Sequence, residues 1–390
     1  MTAHWPDIER WLAPQARYES LRAETTRRHG PRVCDLAYAN AWDGPSQATL
    51  DALSEAALAA KQMELQYTPY GGNARARRVA ARELTELTGL SHGWQDVILT
   101  PGAMAALTLV FRHLAADGGE AVIVTPCWLD TPVYVAQAGL EPRLVPMRPD
   151  GGLDLEAMEA AIGPRTRVVV LSQPNNPTGR IHREEELEGL TRILRNKASG
   201  AALLSDECHR DYLEDQGRFV CPSKFWARTF TVYSYGKRWL LQGQRLGYVA
   251  ICPESPDREY LRSHLPLLCR SLGLATPTAL MQSALHRLVA STPAPKERIL
   301  ERRARVVQSL SDNGAAVHPG DGTMFIYVAA PGGDAERVAR ELAEEGVLTL
   351  PSDVFHQPGH LRLSMTATDE MIERALPVLV RALGKEARAA

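Results

Sequence analysis

The chain has 390 residues, 45% hydrophobic and 23% charged, the balance of an ordinary soluble globular protein with room for a large core. Its 44 basic and 46 acidic residues leave a formal net charge of −2 and form no basic block, which argues against nucleic acid or an anionic membrane as partner. Cys34, Cys127, Cys208, Cys221, Cys252 and Cys269 show neither a CxxC pair nor zinc spacing, the first twenty residues lack the apolar core of a signal peptide, and no run approaches the ~18 apolar residues of a membrane span, so a reduced, cytoplasmic protein is expected.

In chain order, residues 2–28 place Trp5, Ile8, Trp11 and Leu12 at helical spacing and then turn polar, which predicts a short amphipathic helix followed by an arm. Ser46 opens a helix to Lys61 as N-cap, Pro69, Gly71 and Gly72 enforce a turn, and a second helix runs from Asn73 to Thr88. From Asp96 on, short apolar runs alternate with helical patterns: VILT (97–100), AVIVTP (121–126), RVVVLS (167–172), AALLSDE (201–207), TFTVY (229–233) and RLGYVAIC (245–252). Helices are predicted from near Ala103, from near Thr131 and over EELEGLTRILRN. Near-continuous apolar strands joined by helices predict an α/β fold with a mostly parallel sheet covered on both faces, whose ligands gather at the carboxyl ends of the strands. After about Ala290 the texture changes to the charged helix KERILERRARVVQSL and alternating strands around MFIYVAA, VLTLP and HLRLSM, a smaller α+β domain. The division is therefore 1–45, an arm and part of the small domain, 46–290, the large domain, and 291–390, the small C-terminal domain. The terminal KEARAA reads as a frayed tail.

Several residues at the predicted strand ends suit a common chemistry. Gly102, Ala103 and Met104 lie where a strand gives way to a helix, a plain turn or an anion site built from free backbone N–H groups and the helix dipole. Trp128 follows a strand-ending Pro126, as core or as an aromatic platform. The string QPNNPTGR (173–180) includes Asn176 in an Asn-Pro turn. Asp206 closes an apolar strand, where a carboxylate needs a partner. Lys237 has Ser234 three residues before it and Arg245 eight after; an amine can condense with an aldehyde, and a guanidinium binds phosphate bidentately.

Taken in this order over residues 35–365, these strings resemble the fold-type I pyridoxal-phosphate (PLP) enzymes of the aspartate-aminotransferase superfamily, class I/II. The resemblance implies a three-layer αβα large domain with a smaller α+β domain. It also implies pyridoxal 5′-phosphate held as a Schiff base on Lys237, with Ser234, Arg245 and the Gly102–Met104 turn on its phosphate. Many relatives carry Ser or Thr where Met104 stands, so one hydroxyl is missing. By the same resemblance Trp128 stacks on the pyridine, Asn176 meets the phenolic oxygen O3′, Asp206 holds the proton on N1, and Arg362 in HLRLSM grips the substrate α-carboxylate beside Asn176 and Trp128. Tyr67 in YTPYGG would reach the phosphate of the neighbouring subunit, which implies a homodimer with the active site at its interface. TLPSDVF and DGTMFIYV match small-domain strings of the family, whereas LAYANAW lacks a glycine that many relatives have.

The implied activity is PLP-dependent transfer of an amino group from an amino acid to a 2-oxo acid. His209 departs from the usual Tyr and is similar instead to the C–S β-lyase subgroup, which leaves as the alternative a C–S β-lyase or another PLP enzyme of specialised metabolism. His209 either hydrogen-bonds O3′ in place of the phenol or packs as a neutral core histidine. Intact Lys237, Asp206 and Arg245 argue against a binding protein that merely kept the fold.

Overall fold

A computed structural model describes residues 5–61, 63–291 and 295–384. The N-terminal stretch is one continuous helix, Trp5–His29, rather than a short helix and an arm. It holds together past Pro14 because Ile8 and Tyr18 are buried; Tyr18 sits with Leu129, Leu348 and Phe355 in one apolar cluster, so tertiary packing overrides the polar local sequence. The strand β1 (Cys34–Asp35) follows. Two helices come next, Gln47–Leu58, where the Ser46 hydroxyl accepts from Thr49 N–H at 3.2 Å, and Ala74–Thr88, where the Asn73 side chain accepts from Ala76 N–H at 2.8 Å.

The central sheet is built from β2 (Val97–Thr100), β3 (Glu120–Thr125), β4 (Glu141–Pro146), β5 (Thr166–Ser172), β6 (Ala202–Asp206), β7 (Thr229–Ser234) and β8 (Gly247–Ile251). Its order is β2-β8-β7-β6-β5-β3-β4, and all pairs are parallel except those of β8, which lies antiparallel between β2 and β7. Apolar clusters cover both faces, one with Leu107, Val110 and Phe111 of the helix Ala103–Leu114, the other with Leu187, Leu190 and Leu194 of the helix Glu184–Lys197. The fold is therefore the three-layer α/β arrangement expected. The edge strand β4 and the short helix Leu155–Ala161 were not expected; EPRLVP holds two prolines and leaves several side chains half-exposed, so it lacks the buried apolar run that marked the other strands.

Register decides what meets what. Ser172 pairs with Asp206, Asp206 with Val232, Ser234 with Gly247 and Gly247 with Thr100. The segments beginning at Gly102, Gln173, Asp206 and Tyr235 therefore leave the sheet along one edge.

The remaining strands are β9 (Phe325–Ala329), β10 (Val347–Leu348), β11 (Leu350–Pro351) and β12 (His360–Ser364). VLTLP is thus not one strand: Thr349 divides it, so that β10 pairs in parallel with β1 and β11 joins the antiparallel sheet β11-β12-β9. The helices Lys296–Asp312, Ala335–Glu344 and Asp369–Leu383 pack on these strands through Val306, Leu310, Val338, Leu342, Ile372 and Leu379. KEARAA lies outside the described residues. All six cysteines are free and buried.

Candidate active site

One cavity of about 240 Å³ opens at the carboxyl edge of the sheet, and Ala103, Met104, Trp128, Asn176, Asp206, His209, Ser234, Lys237, Arg245 and Arg362 all line it. Gly102 stands just behind: at φ +83° it turns the chain into the helix Ala103–Leu114, and a Cβ there would collide with the Arg245 guanidinium. The first N–H groups of that helix have no intrahelical acceptor, so beside Arg245 and Ser234 they suit an anion. Gly247 permits the close approach, since a Cβ on it would lie 2.6 Å from Tyr233 O and 2.9 Å from Gly102 C. Gly102→Ala should therefore displace Arg245 and weaken binding of an anionic group by roughly tenfold or more, measurable by equilibrium titration of the cofactor-free protein.

Lys237 sits in the four-residue helix Tyr235–Arg238 that ends β7. Its backbone carbonyl accepts from Tyr212 O–H at 2.8 Å, whereas its amine makes no hydrogen bond or ion pair among the described residues. Burial pushes the Lys237 pKa down, as do Arg362 and Arg245, against the opposing pull of Cys208 and Asp206. Asp206 accepts from Cys208 N–H at 3.1 Å, and burial raises its pKa. A half-buried carboxylate whose only partners among the described residues are the Cys208 backbone N–H and thiol suits a cation or a proton from whatever fills the cavity.

Arg362 is fully buried on β12, between the rings of Phe325 and Phe355 at 4.0 and 4.9 Å. Its Nη1–H donates to Asn176 Oδ1 at 3.0 Å and its Nη2–H to Ala37 O at 2.5 Å, while Nε has no partner among the described residues. Burial lowers its pKa to about 9, so it remains cationic at neutral pH, a charge that suits a carboxylate. Asn176 is aimed by its neighbour: Asn175 Oδ1 accepts from Thr178 N–H and Oγ1–H at 3.1 and 2.9 Å, and Asn175 Nδ2–H donates to Pro126 O at 2.9 Å.

Tyr67 is not brought into this cavity; it is fully exposed on the loop between the helices Gln47–Leu58 and Ala74–Thr88. Sequence reasoning missed Tyr38, Gln242 and Phe325, which also line the cavity. Tyr38 is held from the N-terminal helix, bonding Gln15 and donating to Glu19 at 2.5 Å, and Gln242 Nε2–H donates to Ala39 O at 2.9 Å. LAYANAW and the residues after Lys237 were the available signals, but no spacing rule links them.

The family model for aminotransferase class I and II matches residues 31–379. The chain belongs to this family. Among similar aminotransferases, the probable aspartate/prephenate aminotransferase of Aquifex aeolicus is 29% identical over 360 residues, covering 87% of this chain and 89% of its own. The aspartate/prephenate aminotransferase of Thermus thermophilus is 29% identical over 379 residues, covering 94% and 95%. In structure, an aminotransferase from Eubacterium rectale superposes with a TM-score of 0.88 at 26% identity, covering 94% of each chain. Thermus thermophilus aspartate aminotransferase, crystallised as a variant, superposes at 0.84 and 26% identity over 94% of this chain and 96% of that one. This chain is accordingly an aminotransferase, and these relatives lend no support to the β-eliminating reading of His209. No helix among the described residues is long and apolar enough to cross a membrane.

Proposed function

We propose that this aminotransferase holds pyridoxal 5′-phosphate in the cavity and uses it to move an amino group from an amino acid to a 2-oxo acid. The reading rests above all on Lys237 and Asp206, an amine without a hydrogen-bond or ion-pair partner among the described residues and a half-buried carboxylate, which line one cavity. The residues fit the group: the Gly102 turn, Ser234 and Arg245 suit a phosphate, Trp128 a ring face, Asn176 a phenolic oxygen and Asp206 a protonated ring nitrogen. When bound, the cofactor supplies an electron sink for the pair released at the substrate Cα. Arg362 and Asn176 hold the α-carboxylate and so fix which Cα bond faces Lys237. Lys237, its charge disfavoured by burial, takes the proton from Cα and returns it, as general base and then acid. Asp206 keeps the ring nitrogen protonated throughout. The segments 1–45 and 291–390 act as the body that carries Arg362 against the 46–290 body.

The test is to incubate the PLP-loaded enzyme with a panel of amino acids and 2-oxo acids, starting from aspartate, which the relatives' names suggest. Stoichiometric exchange of the amino group is expected; ammonia and pyruvate without a new amino acid would overturn the reading.

A homodimer with shared sites belongs to the same proposal. Tyr67 and the residues Leu58, Met63, Leu65 and Tyr70 near it in sequence are all exposed apolar side chains, which suits contact with a second copy. Tyr67→Ala and Lys237→Ala homodimers should each be impaired at limiting cofactor, Tyr67→Ala by roughly tenfold in cofactor affinity. Mixed, they should regain up to half of wild-type activity, because one site of the heterodimer has both residues. No recovery in a verified heterodimer would place Tyr67 outside the partner's site.

A further inference from the structure

His209 and Thr323 stand 114 residues apart in sequence, and both are buried, at 2% and 0% exposure. Thr323 Oγ1 and His209 Nδ1 are 2.9 Å apart. The His209 ring packs on Phe325, its centroid 5.2 Å away, and the same residue lines the cavity. Thr323 occupies φ +133°, rare for a β-branched residue, beside Gly322, whose Cβ would run into Leu213 Cα at 2.5 Å. Thr323 N–H donates to Tyr212 O at 3.0 Å and Glu214 N–H to Asp321 O at 3.2 Å, so the strained turn is pinned to the segment just after His209.

Which atom donates follows from counting. Among the described residues the Thr323 hydroxyl has no hydrogen-bond partner but His209 Nδ1. Were Nδ1 protonated, it would donate to Oγ1 and leave a buried O–H with no acceptor, a costly state. Were Nδ1 bare, the hydroxyl would donate to it and both groups would be satisfied. The proton then resides on Nε2, which makes no hydrogen bond among the described residues and is left to face the cavity that His209 lines. Burial, Lys237 and Arg362 all disfavour imidazolium, and Asp206 and Cys208 on the same segment do not reverse this, so the ring is neutral and its tautomer matters.

We propose that Thr323 is a positioning residue that locks His209 as its Nε2–H tautomer, so that the ring offers a hydrogen-bond donor to the phenolic oxygen of the cofactor. This rests on the reading of the cavity as a pyridoxal-phosphate site. A donor at that oxygen stabilises its anionic form and keeps the neighbouring imine nitrogen unprotonated to lower pH. Thr323→Val removes the hydroxyl but keeps the branched shape; it should raise the pH midpoint of the visible absorbance transition of the PLP-loaded enzyme by about one unit, tenfold in proton affinity. Thr323→Ser should restore the wild-type midpoint. In a His209→Phe background, where the midpoint is already raised, Thr323→Val should add nothing further. An unmoved midpoint in Thr323→Val, or an equal shift in the His209→Phe background, overturns the proposal. Nitrogen NMR of the His209 ring in the wild-type protein, with or without PLP, tests the tautomer without any variant: protonated Nε2 is expected, and protonated Nδ1 overturns it. Absence of any visible band on adding PLP would instead sink the cofactor reading, which keeps the two failures apart.

Discussion

Lys237→Ala is expected to lose turnover by about 10⁴-fold or more, together with the visible band of covalently held cofactor. On the proposed reading two functions vanish at once, the amine that binds the cofactor and the base that works at Cα. The fold should survive, because the Lys237 amine makes no hydrogen bond or ion pair among the described residues and its carbonyl, which receives Tyr212 O–H, is unchanged. Burial of an amine also disfavours its charge, so alanine should leave the cofactor-free protein no less stable. Stopped-flow single turnover with a good amino donor, beside a thermal melt, checks both halves. A variant that turned over at the wild-type rate would remove Lys237 from the chemistry.

Asp206→Asn is expected to bind PLP yet lose roughly 10²- to 10³-fold in kcat, the scale of one removed electrostatic contact in a dry site. Asparagine cannot hold a proton on the ring nitrogen by charge, so the electron sink weakens while the cavity keeps its shape. The cofactor-free protein should respond in the opposite sense. Burial raises the Asp206 pKa, so ionising the carboxylate costs stability as pH rises through its folded-state value. Asparagine escapes that cost, and the melting temperature of the cofactor-free variant at neutral pH should equal or exceed wild type. Lower activity with undiminished stability separates this role from a folding defect; near-normal kcat would assign the ring nitrogen another acid.

Legibility in the sequence followed burial and spacing. The strands Val97–Thr100 and Thr229–Ser234 were readable because both sheet faces are covered, which leaves unbroken apolar runs. Ser234, Lys237 and Arg245, which line one cavity, could be picked out because their short separations around one strand end resemble the lysine segment of a known family. The edge strand Glu141–Pro146 was hidden by its prolines and exposed side chains, and the N-terminal helix by its polar composition. Thr323 and Tyr38 were out of reach for a different reason: their partners, His209 and the helix Trp5–His29, meet them only through tertiary folding. Tyr67 was readable as a turn residue, but a single chain leaves it in solvent.

The parallel pairing of Cys34 with Val347 also fixes an order of assembly. The strands from Val97 to Ile251, with the Lys237 segment among them, are complete once the first two-thirds of the chain has left the ribosome. Arg362 and the strands around it must wait, because the early segment Cys34–Asp35 has no neighbour until Val347–Leu348 is made. During synthesis the sheet that carries Asp206 and leads to Lys237 can therefore form first, while Cys34 and Asp35 wait for Val347 and Leu348. Removing either Cys34–Asp35 or Val347–Leu348 therefore breaks the same pair of strands.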